Sequence, residues 1–450
     1  MEFTGRNVVV VGTGISGIAA LKLLAAKGAH LTVLEGNEKA DIEELGKKLP
    51  DGMECRIIIG DMPEAVMEEA ELVILSPGVP TDLPFVGKLQ EKNVPIWGEI
   101  ELAYACAKGK LAAITGTNGK TTTTALTGEI LREYYDSVFV VGNIGLPYTE
   151  YALQTEDDSV TVAEVSSFQL ETVHSFCPEV SAILNITPDH LNRHHTMECY
   201  VQAKARIAEN QTEKQVCVLN YEDSRLRELS SSIRAEIFWF SSRRSLERGI
   251  WLEGEDIIYC DTERIKVCTI HDMKLLGIHN YENVMAAVAV TMHMGVPIEF
   301  IRRAVAAFQG VEHRIEFVRQ VNGVKYYNDS KGTNPDAAIK AVQAMVSPTV
   351  LIGGGYDKQS SYEEWIASFG DTVKCLVLLG ATADKIESAA REAGFTNIFR
   401  ASSLQEAVTI SAAQAQEGDA VLLSPACASW DMFQSYEQRG NLFKECVNQL

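Results

Sequence analysis

The chain has 450 residues, too many for one hydrophobic core, and the length suggests about three domains of roughly 150 residues each. With 46% hydrophobic residues each domain can bury a core, while a formal net charge of −21 would repel nucleic acid or an anionic membrane over most of the surface. No apolar run approaches the ~20 residues that span a bilayer, and no signal peptide is read before the first strand, so a nucleic-acid partner and a membrane span are both excluded from the expectation. The ten cysteines are scattered without a C-x-x-C pair and read as reduced thiols of a cytoplasmic protein.

In chain order, Asn7 to Gly12 is a valine-rich strand, Gly17 to Lys27 an alanine/leucine helix and Leu31 to Glu35 a second strand, together a βαβ unit of the dinucleotide-fold type. Leu72 to Leu75 and Val94 to Trp97 are further strands, and the first boundary is placed after residue 98. Leu111 to Ile114, Ser159 to Val165, Val180 to Ile186 and Val216 to Asn220 are the strands of a central domain, with a helix at Met197 to Asn210. Between Ile237 and Met273 short β-prone pieces, Ile250 to Leu252 and Ile257 to Tyr259, suggest a small extra sheet. Helices at Asn280 to Met294 and Ile298 to Phe308 close that domain near residue 310. From 311 to 450 βα alternation resumes, with strands at Lys325 to Asn328, Thr349 to Gly353, Cys375 to Leu379 and Ala420 to Leu423. The expected fold is α/β in three domains: 1–98 Rossmann-like, 99–310 P-loop ATPase-like with the extra sheet, and 311–450 again Rossmann-like.

The most informative stretch is Thr115-Gly116-Thr117-Asn118-Gly119-Lys120-Thr121-Thr122, a small-residue loop between a buried strand and a helix. Its backbone N–H groups and the helix N-terminus suit a nucleoside triphosphate; Lys120 would reach the β/γ-phosphates and Thr121 would hold Mg²⁺. A full P-loop has a glycine where this chain has Ile114, so the loop is a shortened variant. Glu164 ends an apolar strand, where P-loop enzymes place a metal ligand and where an unpaired charge is costly. Thr187-Pro188-Asp189-His190 brings Asp189 and His190 to the same edge one strand later. His194 and His195 read as caps of a surface loop, and Lys204 as a solvated helix lysine.

Gly12-Thr13-Gly14-Ile15-Ser16-Gly17 follows a strand and Glu35 ends the next one, a pattern that fits NAD or any other diphosphate ligand, such as a UDP compound. Ser76-Pro77-Gly78 ends a later strand, at the edge where ligands bind in open sheets. In the last third, Asn328-Asp329-Ser330-Lys331-Gly332-Thr333 and Gly353-Gly354-Gly355-Tyr356-Asp357-Lys358 place cations at strand ends, and Lys331 and Lys358 could clamp a carboxylate. Cys427 lacks an arranged histidine or aspartate and reads as a small buried thiol rather than a nucleophile.

Taken together, the shortened loop Thr115 to Thr122, Gly142-Asn143-Ile144-Gly145, Glu164 to Glu171, Thr187 to His190 and His279-Asn280-Tyr281-Glu282-Asn283 make the chain closely resemble the Mur ligases over essentially its full length. Asn328 to Asn334 and Leu423 to Gly440 point within that family to the addition of D-glutamate to UDP-N-acetylmuramoyl-L-alanine (UDP-MurNAc-L-Ala), an ATP-driven amide ligation through an acyl phosphate in cytoplasmic peptidoglycan precursor synthesis. The resemblance implies UDP-substrate contacts at Gly14, Ile15, Ser16, Glu35, Ser76, Pro77, Gly78 and Asn143, and ATP on Gly116, Thr117, Asn118, Gly119, Lys120, Thr121 and Thr122 with Asn283, Arg314 and Asp329. It implies two Mg²⁺ ions, one on Thr121 and Glu164 and one on His190 and Lys204, the lysine carbamylated by CO₂. Lys120, Glu164, His190 and Lys204 would be the catalytic set; D-glutamate would meet Lys331, Thr333, Lys358, Ser429 and Tyr436. A monomer is expected. The main rival readings are a nicotinamide-dependent dehydrogenase and a neighbouring ligase with another acceptor.

Overall fold

The structure is a computed structural model that describes residues 2–50, 52–143 and 145–450; Ile144 of the Gly142 to Gly145 motif lies outside the described residues. Among the described residues three sheets carry the fold. The first has five parallel strands in the spatial order Cys55–Ile59, His30–Glu35, Asn7–Val11, Leu72–Leu75, Ile96–Gly98. The order reverses between Asn7–Val11 and Leu72–Leu75, which are paired so that Val11 lies opposite Leu75. Gly12 and Ser76 therefore emerge side by side at the carboxyl edge, where a doubly wound sheet opens its ligand crevice. Cys55–Ile59 was not foreseen; it is an edge strand, only partly buried.

The central sheet has nine strands, and the P-loop strand Lys110–Thr115 lies inside it between Val160–Glu164 and Val180–Ile183. Both faces of these strands are covered, so they read as continuous apolar runs rather than alternating ones. The β-prone pieces after Ile237 do not stand apart. Glu236–Ser241 and Gly249–Glu253 extend the parallel sheet, and Asp256–Cys260 and Arg264–Thr269 finish it as an antiparallel edge. The third sheet orders Glu316–Val321, Val324–Asn328, Ala420–Leu423, Thr349–Gly353, Val373–Leu378 and Ile398–Arg400, all parallel except the first.

By contacts the chain forms two compact units, Met1–Asp272 with Glu282–Ala306 and Met273–Tyr281 with Ala307–Leu450. The first two sheets share the first unit and a continuous core that includes Leu24, Leu102, Tyr148, Val165 and Phe176. The second unit packs its sheet between two apolar layers, one around Trp365 and Ile386 and the other around Leu404, Phe443 and Val447. Among the described residues no helix is long and apolar enough to cross a membrane.

Candidate functional site

The P-loop is held in shape from behind by the segment that follows the neighbouring strand. Thr117 N–H donates to the Asn185 carbonyl (2.9 Å), Asn118 N–H to Asn185 Oδ1 (2.9 Å) and Asn185 Nδ2 back to the Asn118 carbonyl (3.0 Å). Thr187 N–H donates to Thr117 Oγ1 (3.0 Å), which also lies 3.2 Å from the Tyr200 hydroxyl. Gly116 and Gly119 have φ of +153° and +86°, conformations that glycine adopts without strain. At Gly119 a Cβ would also fall on the side chain of Asn283. The helix Lys120–Arg132 then starts directly after the loop, and its N-terminus is an anion-binding end by geometry and dipole.

Lys120 Nζ donates to the carbonyls of Gly116 (2.9 Å) and Thr117 (3.0 Å). Lys204 is not a solvated helix lysine: it is 1% exposed, its Nζ donates to the same Gly116 carbonyl at 3.0 Å, and it sits 4.7 Å from the Tyr200 ring centre. Burial, and then the charge of Lys120, holds its pKa well below the usual lysine value. The sequence of Met197–Ala205 carries no mark of this, because the carbonyl that the lysine meets belongs to the distant P-loop.

Glu164 is buried at the end of its strand, opposite Ile114. Its Oε1 accepts from Asn143 Nδ2 at 2.8 Å, whereas its Oε2 is buried with no hydrogen-bond partner among the described residues. A half-satisfied buried carboxylate is costly unless a cation completes it, so this oxygen fits a divalent ion. Among the described residues no group of three His, Cys, Asp or Glu side chains is gathered. Any such ion would therefore need other oxygens, as Mg²⁺ does when it keeps waters and nucleotide phosphates as ligands.

His190 adopts a left-handed backbone (φ +52°) and stands half exposed, 4.9 Å from the Phe168 ring and 3.5 Å from the Asp189 carboxylate. His194 differs from the expected loop cap. It is buried, its Nε2 lies 2.9 Å from Ser167 Oγ and its Nδ1 3.4 Å from Glu171, and it stacks on Phe168; burial lowers its pKa. His195 is exposed, 3.7 Å from Asp82. Sequence reasoning also passed over Arg193, whose guanidinium joins Glu171 (2.7 Å) and the Val79 carbonyl (2.9 Å). Arg193, Phe168, Ser76, Pro77, Val79 and Thr81 line one pocket.

At the first sheet, a Cβ on Gly17 would fall on the Gly12 carbonyl oxygen, so the helix approaches the strand only because that residue is glycine. Gly14 caps the helix with open space around it, and Ile15 and Ser16 begin it. Ile15 is an exposed aliphatic side chain, Glu35 accepts from Thr13 Oγ1 and from Asn37 N–H, and Ser76 Oγ is buried without a hydrogen-bond partner among the described residues.

In the second unit, Asp329 is fully buried at a strand end and accepts from Ser424 Oγ at 2.7 Å; burial pushes its pKa up to about 7 against the pull of Ser424 and Arg314. Arg314 Nε is buried without a hydrogen-bond partner among the described residues. The neighbouring Ser330 is clamped by buried Arg439, which donates to Ser330 Oγ (3.0 Å), the Ser330 carbonyl (2.8 Å) and the Cys427 carbonyl (3.2 Å). Lys331 and Lys358 lie over aromatic rings, 5.7 Å from Tyr436 and 5.3 Å from Trp430. Thr333 is half-buried and Ser429 buried. Cys427 Sγ is buried, 3.1 Å from the Tyr362 hydroxyl and 3.2 Å from Thr382 Oγ1, and burial raises its pKa, the opposite of an activated nucleophile.

Comparison with known proteins decides the family. Models described as the Mur ligase MurD-like N-terminal domain, the Mur ligase middle domain and the Mur ligase glutamate ligase domain match residues 6–98, 114–291 and 313–427. A UDP-N-acetylmuramoylalanine--D-glutamate ligase of Lachnoclostridium phytofermentans is 57% identical over 451 aligned residues, covering 100% of this chain and 99% of that protein. The chain belongs to the Mur ligase family. The ligase of the same name from Lachnospira eligens is 55% identical with both chains fully covered. At the level of fold alone, the UDP-N-acetylmuramate-alanine ligase of Thermotoga maritima superposes with a TM-score of 0.60 at 18% identity, covering 99% of each chain. A MurF ligase of the same organism, solved with ADP, gives 0.58 at 17% identity, covering 100% of this chain and 96% of that one. Membership of the Mur ligases makes the chain an ATP-using ligase of α/β architecture, and the nicotinamide reading of Gly12 to Gly17 falls away.

Proposed function

We propose that this Mur ligase joins D-glutamate to UDP-N-acetylmuramoyl-L-alanine, in the cytoplasm and as a monomer, with domains at 1–98, 99–310 and 311–450. The observation that carries the reading is identity above 50% across the whole chain to ligases named for that reaction. A P-loop, a buried carboxylate with one unpartnered oxygen and a buried lysine of depressed pKa at the P-loop suit the chemistry.

In this reaction the alanyl carboxylate attacks the γ-phosphorus of ATP, a new O–P bond forming as the bond to ADP breaks. The amine of D-glutamate then attacks the acyl carbon, loses a proton, and phosphate leaves as the amide forms. The loop amides of Gly116 to Thr122 and the Lys120 ammonium hold the phosphates and offset the charge that accumulates on them. Asn283 is proposed at the adenine, and Arg314 and Asp329 at ribose and phosphates. Thr121 and Glu164 would hold one Mg²⁺, and His190 and Lys204 a second; when bound, these ions supply Lewis-acid neutralisation of phosphate and carboxylate oxygens.

Lys204 supports a further chemical step of its own. Its depressed pKa favours the amine form, and an amine adds to CO₂, forming an N–C bond and releasing one proton to give a carbamate. That change leaves an anion beside Lys120 in place of a group that repels it when protonated, and adds a ligand oxygen. Gly14, Ile15, Ser16, Glu35, Ser76 to Gly78 and Asn143 are proposed to take the UDP-linked substrate; Lys331, Thr333, Lys358, Ser429 and Tyr436 are proposed to take D-glutamate.

Phosphate release with ATP, Mg²⁺ and UDP-MurNAc-L-Ala should depend on D-glutamate when a panel of amino acids is offered. L-Lysine, diaminopimelate or L-alanine outperforming D-glutamate would overturn the assignment.

A further inference from the structure

Trp430 stands out among the groups that the reaction above leaves unused. It is 63% exposed, an unusual state for the largest apolar side chain, and lies between two neighbours from the loop after the strand Thr349–Gly353. Its ring centre is 5.7 Å from that of Tyr356, itself 43% exposed, and 5.3 Å from Lys358 Nζ. The isolated bridge Tyr356 to Ala428 ties the two loops together: Tyr356 N–H donates to the Ala428 carbonyl at 2.9 Å. The loop that carries Trp430 is closed by a turn in which the Ser429 carbonyl accepts from Phe433 N–H at 2.8 Å.

The carboxylate adjacent to Lys358 in sequence is engaged elsewhere. Asp357 accepts from Gln359 N–H at 2.7 Å and pairs with Lys385 at 3.3 Å. Among the described residues Lys358 forms no ion pair, and its ammonium rests against a π face instead. An aromatic face attracts a cation without neutralising it or occupying the hydrogen-bond directions that an incoming carboxylate needs. A carboxylate partner in the same place would compete with an anionic substrate.

We propose that Trp430, backed by Tyr356, is a positioning and specificity residue for the dicarboxylic amino acid: it holds the Lys358 ammonium aimed and uncompensated, so that Lys358 can pair with a substrate carboxylate. The proposal rests on the assignment of Lys358 to D-glutamate. Trp430 acts through Lys358 and is outside the phosphate-transfer chemistry, so its effect falls on one substrate only.

The test is steady-state kinetics of the full-length chain with Trp430→Ala, Trp430→Leu and Trp430→Phe, each checked for unchanged thermal unfolding. Removing the ring should raise KM for D-glutamate about fivefold, the size of a well-placed cation–π contact. KM for ATP and for the UDP-linked substrate should stay within twofold, kcat should change little, and Trp430→Phe should recover most of the loss. Trp430→Leu behaving like wild type shows that bulk alone suffices and overturns the proposal, as does a loss spread equally over all three substrates without rescue by Phe. If Trp430→Ala unfolds, the Leu and Phe pair decides the question alone. Wild-type protein with no D-glutamate-dependent phosphate release condemns the functional assignment; an active wild type with an indifferent Trp430 condemns only this inference.

Discussion

Lys120 and Lys204 share one acceptor: their ammonium nitrogens lie 2.9 and 3.0 Å from the carbonyl oxygen of Gly116, the first glycine of the P-loop. Two like charges on one oxygen repel, and Lys204, the more deeply buried, is the one whose pKa burial and the neighbouring charge drive well down. The loop therefore brings a lysine suited to phosphates together with a second lysine that yields its proton more readily than usual. Removing that amine should separate activity from stability.

Lys204→Ala is expected to abolish turnover, with partial recovery on adding a short carboxylate such as formate. Lys204→Met should also lose turnover but unfold at a higher temperature than wild type in CO₂-free buffer at pH 7. Below the ordinary lysine pKa of 10.5 the unfolded chain binds the proton more tightly than the buried lysine does, so the lysine costs stability there and the cost fades as pH rises towards that value. Calorimetry across pH 7 to 10 measures the trend. Full activity in the alanine variant would remove the carbamate from the scheme.

Glu164→Gln tests the orphaned oxygen. The substitution keeps the shape but deletes the charge that fits a cation, so turnover should fall by about 10² to 10³. Stabilisation against heat by Mg²⁺ with ATP, which follows the ratio of ligand to Kd, should shrink in the variant and persist for ATP analogues without metal. An unchanged Mg²⁺ dependence of the melting shift would rule the residue out as a ligand.

Asp329 gives a pH signature. Its folded pKa of about 7 lies above the usual 3.8, so the folded chain holds the proton more tightly. The associated stability is fully present below pH 3.8 and is lost as pH rises through 7. Asp329→Asn should therefore gain on wild type steadily between pH 4 and 8 and hold a constant lead above that, as read from urea midpoints. A difference independent of pH would mean that the carboxyl is charged throughout.

The strands that carry these residues were legible because burial on both faces writes itself as apolar runs: Asn7–Val11, Lys110–Thr115, Val160–Glu164 and Ala420–Leu423 lie within a residue of their expected limits. Strands passed over include Cys55–Ile59, Val138–Gly142, Arg264–Thr269, Glu316–Val321 and Ile398–Arg400, which sit at sheet edges and are partly exposed, so their pattern is weak. Site residues split in the same way. Glu164 and Lys120 stand beside punctuating glycines or at the end of an apolar run, where local chemistry marks them. Lys204, His194 and Arg193 acquire their character from partners 27 to 114 residues away, such as Ser167, Gly116 and Val79. No window of sequence contains that information.

Gly17→Ala tests how the first sheet builds its ligand crevice. The new methyl group would meet the Gly12 carbonyl oxygen, a backbone atom that cannot swing aside, and Ser76 Oγ stands 3.0 Å away on the other side. Relief requires the helix Ile15–Ala26 to move off the strand, shifting Gly14, Ile15 and Ser16 together. KM for UDP-MurNAc-L-Ala should rise by at least about tenfold, the cost of a displacement of roughly 1 Å at a binding site, and overpacking of this kind costs about 1–3 kcal/mol of stability. Binding of ATP, measured separately by equilibrium titration, should be unchanged because the P-loop lies on a different sheet. Equal weakening of ATP and UDP-substrate binding would mean that the variant had lost the fold of the first unit rather than the geometry of one crevice.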